Sequence, residues 1–186
     1  MNTRLIYVMG PSGAGKDSVL GWLRDHLPVD MPVHWARRTI TRPASAGGEA
    51  HEEVDAQGFE RLQNQAAFAM AWQANGLHYG VRHAELAPLQ QGHWVMVNGS
   101  RGHWPQALQS HSGLQVVHIT ADPATLVQRL TQRGRETPED IQQRVARASA
   151  FDVPLGAIEI LNNGTLEQAG QALLLALQGL ASWPNQ

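Results

Sequence analysis

The sequence predicts an α/β fold in three layers, a parallel sheet with helices on both faces, and three observations carry that expectation. Short, β-rich apolar runs alternate with amphipathic helical stretches along most of the chain. The first run, Leu5-Ile6-Tyr7-Val8-Met9, is apolar throughout, as suits a strand buried on both faces. A glycine-rich loop follows it at once, and a helical pattern follows the loop.

From Asp17 to about Leu27, Val19, Leu20, Leu23 and Leu27 fall on one side of a helix, which Pro28 closes. Val33-His34-Trp35-Ala36 is a second short strand. Residues 37–91 are polar, glycine-containing and weakly periodic, and read as an inserted segment of small helices and turns. His93 to Asn98 resumes the strand pattern, and Leu114 to Thr120 repeats it. Asp122-Pro123 supplies an N-cap and a first-turn proline for a helix running to about Arg133. Thr137-Pro138-Glu139-Asp140 gives the same start signal to a helix with Ile141, Val145 and Ala148 on one stripe. Ala157 to Leu161 is the last strand. Asn163 or Thr165 then opens a final helix with Leu166, Ala169, Leu173, Leu177 and Leu180 inward. The 186 residues read as one domain, 1–186, without internal repeats.

Composition excludes several classes. A hydrophobic content of 42% supports a real core. The net charge of −2 argues against nucleic-acid binding by bulk electrostatics. The absence of cysteine removes disulfides, thiolate metal sites and cysteine nucleophiles. Met1 to Gly10 lacks the pattern of a signal peptide, and no window reaches the roughly 18 apolar residues of a spanning helix. The expectation is a cytoplasmic protein with neither a nucleic-acid nor a membrane partner. The sequence leaves its oligomeric state open.

Gly10-Pro11-Ser12-Gly13-Ala14-Gly15-Lys16 fits G-x-x-x-x-G-K between a predicted strand and a predicted helix. Such glycines let backbone N–H groups turn inward around phosphates, and the helix that follows aims its positive dipole end at the same anion. Lys16 is the only lysine in the chain; the other 13 basic residues are arginine. A lysine here reaches the β- and γ-phosphates of a nucleotide as a point charge. The pattern predicts a P-loop NTPase fold binding ATP. The hydroxyl that normally follows the lysine and ligates Mg²⁺ is replaced by Asp17, with Ser18 next. Asp17 either ligates the metal through its carboxylate or is a first-turn helix acid. Ser18 is the second candidate, about 100° of helix out of place.

Arg129 and Arg133 stand four apart on one predicted helix, and Arg135, Arg144 and Arg147 follow. Arginines suit a phosphoryl-transfer transition state, whose charge spreads over equatorial oxygens. Segment 129–147 therefore reads as a lid that brings cations to the transferring phosphate. The competing reading is a solvated helix face with Glu136 and Asp140 as partners.

With these motifs in hand, nearly the whole chain resembles the guanylate kinase family. Its phosphate loop matches residues 10–16. Its threonine–arginine–proline segment matches Thr39-Ile40-Thr41-Arg42-Pro43, with Gly48-Glu49 after it. Its tyrosine turn matches Gly76-Leu77-His78-Tyr79-Gly80, and its lid matches Arg129, Arg133-Gly134, Glu136, Glu139, Ile141 and Arg144. The resemblance implies a guanylate-kinase-like domain with an acceptor-binding insertion at about 37–91. It assigns Arg42 and Tyr79 to the acceptor's phosphate, and Arg129, Arg133 and Arg144 to the transferring phosphates.

Departures redirect the substrate. The family's second acceptor arginine falls at Ser45, and its guanine-reading glutamate falls at Met70. A thioether accepts hydrogen bonds only weakly. The departures resemble one branch of the family, the ribose 1,5-bisphosphate phosphokinases of phosphonate breakdown. The matching segments are Gly15 to Ser18, Thr41 to Gly47, Ala74 to Gly80, Val97 to Arg101 and Arg133 to Glu136. That resemblance implies transfer from ATP, with Mg²⁺, to a phosphorylated sugar, giving 5-phosphoribosyl 1-diphosphate. Arg38, Arg82 and Arg101 are unranked candidates for the sugar's second phosphate. Asn98 is a candidate substrate contact, as is His78, which replaces a family tyrosine. The other eight histidines read as surface or packing residues, and Trp72 and Trp94 as core. The alternatives are a nucleoside monophosphate kinase with altered base contacts and an inactive domain that binds phosphorylated partners.

Overall fold

The computed structural model describes residues 4–46 and 49–184. Gly47 and Gly48, which carry part of the family match, lie outside the described residues. The strands are β1 (Leu5–Met9), β2 (Val33–Trp35), β3 (Arg38–Ile40), β4 (Glu52–Glu53), β5 (Phe68–Ala74), β6 (Leu77–Arg82), β7 (Trp94–Asn98), β8 (Gln115–Thr120) and β9 (Ile158–Leu161). The helices are α1 (Lys16–His26), α2 (Ala56–Asn64), α3 (His83–Leu86), α4 (Trp104–Ser110), α5 (Pro123–Arg133), α6 (Pro138–Ser149) and α7 (Leu166–Gln178). A five-stranded parallel sheet in the order β2-β7-β1-β8-β9 has helices on both faces, the layering expected from the sequence. Every residue of β1 and of β7 is buried, so their unbroken apolar character is the signature of central strands.

Two compact units divide the chain, with the boundary inside β1. One comprises residues up to Tyr7 and Pro32–Leu114; the other comprises Val8–Met31 and Gln115 onward. In the second unit, Trp22 of α1 lies flat against Gly170 of α7, where any Cβ would overlap the indole. Its Nε1 donates to Glu167 at 2.8 Å. Thr165 caps α7 and Thr137 caps α6, each through a reciprocal capping box, with Gln168 and Asp140 respectively. Asp140 is thus a cap rather than an arginine partner. Asp122 precedes α5 as expected but leaves its N–H groups uncapped, because its carboxylate takes the Asn163 amide at 2.5 Å. Of the residues expected inward on α7, Leu166 is 42% exposed, because it sits beside the cap; Ala169, Leu173 and Leu177 are buried.

The first unit contains the main departure from expectation. Residues 37–91 form not only short helices but a four-stranded sheet, β4-β3-β6-β5. β5 and β6 are an antiparallel hairpin joined by Asn75-Gly76, both at positive φ (51° and 75°). A register shift between Phe68 and Met70 puts Phe68 on the opposite face from Met70, where its ring fills the space a Cβ on Gly80 would need. α4 is a second element without a sequence forecast; it starts with Pro105 in its first turn.

Candidate active site

The phosphate loop lies wholly in the second unit. Gly13 and Gly15 adopt φ of 86° and 80°, the left-handed region open to glycine. Gly10 faces the Ile119 carbonyl so closely that a Cβ would overlap it. Lys16 Nζ donates to the carbonyls of Gly10 (3.0 Å) and Pro11 (3.4 Å), which folds the ammonium back over the loop. Asn162, buried just after β9, donates from Nδ2 to the Ala14 carbonyl at 2.8 Å and so ties down the loop's far side. Asp17 and Ser18 both open α1 and both are exposed.

The predicted lid arginines reach this loop. Arg144 donates to Ser12 Oγ at 3.2 Å, and Arg129 lies 3.5 Å from the Gly13 carbonyl. Glu136 holds both Arg133 and Arg144 through its Oε1. Its side chain is only 9% exposed, so α5 and α6 share one buried carboxylate and two guanidinium groups. The solvated-face reading fails for Arg129 and Arg144, which turn toward the loop; Glu136 is a partner, as that reading had it.

The acceptor candidates lie in the first unit, and two of them, Arg38 and Tyr79, share one face of β3, β5 and β6. Alternation along these strands places Arg38, Met70, Trp72, Tyr79 and Val81 together. Arg38 lies over the Tyr79 ring, 5.1 Å from its centroid, and forms a two-pronged pair with Glu49. Asn98, at the buried end of β7, donates to the other Glu49 oxygen at 2.9 Å. Arg42 follows β3, and the buried His51 donates from Nε2 to its carbonyl at 2.9 Å. Ser45 is exposed in a short 3₁₀ turn, Ala44–Ala46.

The opposite face carries His78, Gly80 and Arg82, and two expectations change there. His78 packs against Phe59 (5.2 Å between centroids), turned away from Tyr79 by strand alternation. Arg82 pairs with Glu52 at 2.6 Å and lies 3.4 Å from Thr39, which places it among structural partners. Arg38 stands on the tyrosine face, and Arg101 follows Ser100 in the turn after β7.

Some site residues carried no sequence signal. Trp72 is half-buried and stacks on Tyr79 (5.5 Å, 4°) and on His103 (5.0 Å, 21°), so it belongs to the site wall rather than the core; Trp94 is core, as expected. Tyr7 sends its hydroxyl to within 3.1 Å of His103 Nδ1 and accepts the Ser100 N–H at 2.9 Å. Asn162 had one usable signal: it ends a parallel strand, where α/β sheets present groups to ligands. Among the described residues, no group of three or more His, Asp or Glu side chains is placed to hold a metal ion.

No protein-family model matches the chain. It is 45% identical over 175 residues to the ribose 1,5-bisphosphate phosphokinase PhnN of Chromobacterium violaceum, covering 94% of both chains. Its identity to that of Burkholderia pseudomallei is 44% over 180 residues, 96% of this chain and 97% of the relative. The PhnN of Laribacter hongkongensis is 44% identical over 181 residues, 97% of this chain, but this chain spans only 44% of that longer protein. Among solved structures, the guanylate kinase of Anaplasma phagocytophilum matches with a TM-score of 0.69 at 16% identity, over 96% of this chain and 87% of that one. An unliganded sugar kinase from Janibacter sp. HTCC2649 matches less closely, with a TM-score of 0.53 at 14% identity over 99% of each chain. At that distance the structural likeness shows the fold alone. Identity above 40% across nearly full-length relatives shows the rest: this chain belongs to the ribose 1,5-bisphosphate phosphokinase PhnN family.

Proposed function

We infer that this chain transfers the γ-phosphoryl group of ATP to the 1-phosphate of ribose 1,5-bisphosphate, giving ADP and 5-phosphoribosyl 1-diphosphate, as a step in phosphonate breakdown. The observation that carries this reading is the chemistry of the acceptor face. Tyr79 and the Arg38 guanidinium over its ring suit a phosphate, while the position of a base-reading carboxylate is filled by Met70, 3% exposed.

In this reading the loop glycines and Lys16 bind the β- and γ-phosphates. Arg129, Arg133 and Arg144 meet the charge that develops on the transferring group. Arg42 and Tyr79 hold the acceptor's reacting phosphate, with Arg38, Asn98 and Arg101 along the rest of the molecule. An acceptor oxygen bonds to Pγ as the bond from Pγ to the β-bridging oxygen breaks, and ADP leaves with that electron pair. The acceptor phosphate is already ionised near pH 7, so no side chain has to remove a proton. Mg²⁺, when bound, would neutralise part of the charge on the nucleotide's phosphates. The exposed oxygens of Asp17 and Ser18 beside Lys16 fit such a hard cation, which takes few protein ligands when phosphates and water supply the rest.

The test is kcat/KM with ATP and Mg²⁺ for ribose 1,5-bisphosphate and for GMP, with the sugar product identified by mass. Two guanine N–H groups left without an acceptor cost about 1–3 kcal/mol each, so GMP should be slower by about 30-fold to 10⁴-fold. GMP turned over as well as the sugar would restore a nucleoside monophosphate kinase. No turnover of any acceptor would mark a binding module.

A further inference from the structure

His103 belongs to no motif, yet two side chains, Trp72 and Tyr7, fix its ring at the start of α4. Trp72 stacks on it, and the same indole stacks on Tyr79. The Tyr7 hydroxyl sits 3.1 Å from its Nδ1. That hydroxyl is itself held, accepting the Ser100 N–H and lying 3.1 Å from the Ser100 carbonyl. Burial pushes the Tyr7 phenol up to about 12, so it remains a neutral O–H through the working range.

One imidazole nitrogen is therefore occupied by the protein. The other, Nε2, has no protein partner among the described residues, and the ring is part-exposed. Burial, with His111 as a lesser cause, lowers the pKa of His103, which keeps the ring neutral at pH 7. A neutral ring is a poor phosphate reader beside a site rich in arginine. It suits a group that both donates and accepts, and a hydroxyl is such a group.

We propose that His103 is a specificity-determining residue of the acceptor site, held by Tyr7 and Trp72 so that Nε2 hydrogen-bonds a ribose hydroxyl. This rests on the sugar-phosphate reading above and deepens it.

The experiment is a cycle of enzyme and substrate changes. Wild type, His103→Ala and His103→Gln are each assayed with ribose 1,5-bisphosphate and with its 2-deoxy and 3-deoxy analogues, and with ATP varied separately. Wild type should prefer the full sugar over one deoxy analogue by about threefold to tenfold, the worth of one neutral hydrogen bond. In His103→Ala that preference should fall to near one, through loss on the full sugar alone, with the KM for ATP unchanged. His103→Gln should keep part of it, and decides the matter if the alanine variant fails to fold. An equal loss on all three sugars would make His103 merely structural and overturn the proposal, as would an undiminished preference. Wild type that ignores every sugar bisphosphate and phosphorylates GMP would instead refute the functional reading, and this proposal with it.

Discussion

Replacing Asn162 by alanine strips the donor from the Ala14 carbonyl, and Ala14 is fully buried in the phosphate loop. A buried acceptor left without its hydrogen bond costs about 1–3 kcal/mol. For a chain of this size each kcal/mol lowers Tm by about 2–4 °C, so the expected fall is about 2–12 °C. The loop should also lose its fixed shape, raising the KM for ATP several-fold while the acceptor KM stays put. Thermal unfolding and initial rates at varied ATP measure both. An unchanged Tm together with an unchanged KM for ATP would refute the reasoning. A second arm isolates the contact. A Cβ on Gly15 would stand 2.6 Å from Asn162 Nδ2, at a backbone φ of +80°. Gly15→Ala should then cost about 1–2 kcal/mol for the left-handed backbone plus a steric part. The steric part should vanish in the Asn162→Ala background. Equal costs in both backgrounds would show that the two residues do not meet as described.

Lys16→Met should lower kcat by about 10²-fold or more with the fold intact, because the ammonium meets loop carbonyls rather than the core. Near-normal turnover in the folded variant would end the P-loop mechanism. Arg133→Ala and Arg144→Ala should each lower kcat more than they raise the acceptor KM, since these cations act where charge develops. Steady-state kinetics that moved only the acceptor KM would transfer both to the acceptor site.

The sheet and its connecting helices other than α4 were legible because their signals are local. An apolar run such as Leu5–Met9 carries its burial in its own composition, and the start signals at Asp122-Pro123, Thr137 and Thr165 each stand where a helix begins. The second sheet was hidden for the opposite reason. β3 has three residues and β4 two, β5 is mostly half-buried, and the register shift at Phe68/Met70 breaks the period-2 pattern. The Asn75-Gly76 turn was a usable hairpin signal. In the candidate site, the glycines, Lys16 and the lid arginines announce themselves by spacing. Asn162, Tyr7 and His103 do not, because each acts through a partner distant in sequence: 148 residues separate Asn162 from Ala14, and 96 separate Tyr7 from His103.

Under the proposed function, the hairpin would let acceptor preference change on a retained frame. Its register is pinned on the face away from Tyr79. There Phe59 stacks on Phe68 at 4.7 Å, Phe68 fills the space beside Gly80, and Glu52 ties Thr39 to Arg82. None of those contacts involves Met70 or Trp72. A carboxylate at position 70, buried as Met70 is, would need a donor from the ligand or the protein to offset its desolvation, whereas a thioether needs none. Exchanging one for the other changes what the face will accept without disturbing the strand that presents Tyr79. Under the proposed function, changes on the tyrosine face should act on acceptor choice, and changes on the Phe59 face should act on stability. His78 and Arg82, which sequence position alone groups with Tyr79, fall on the stabilising side of that division.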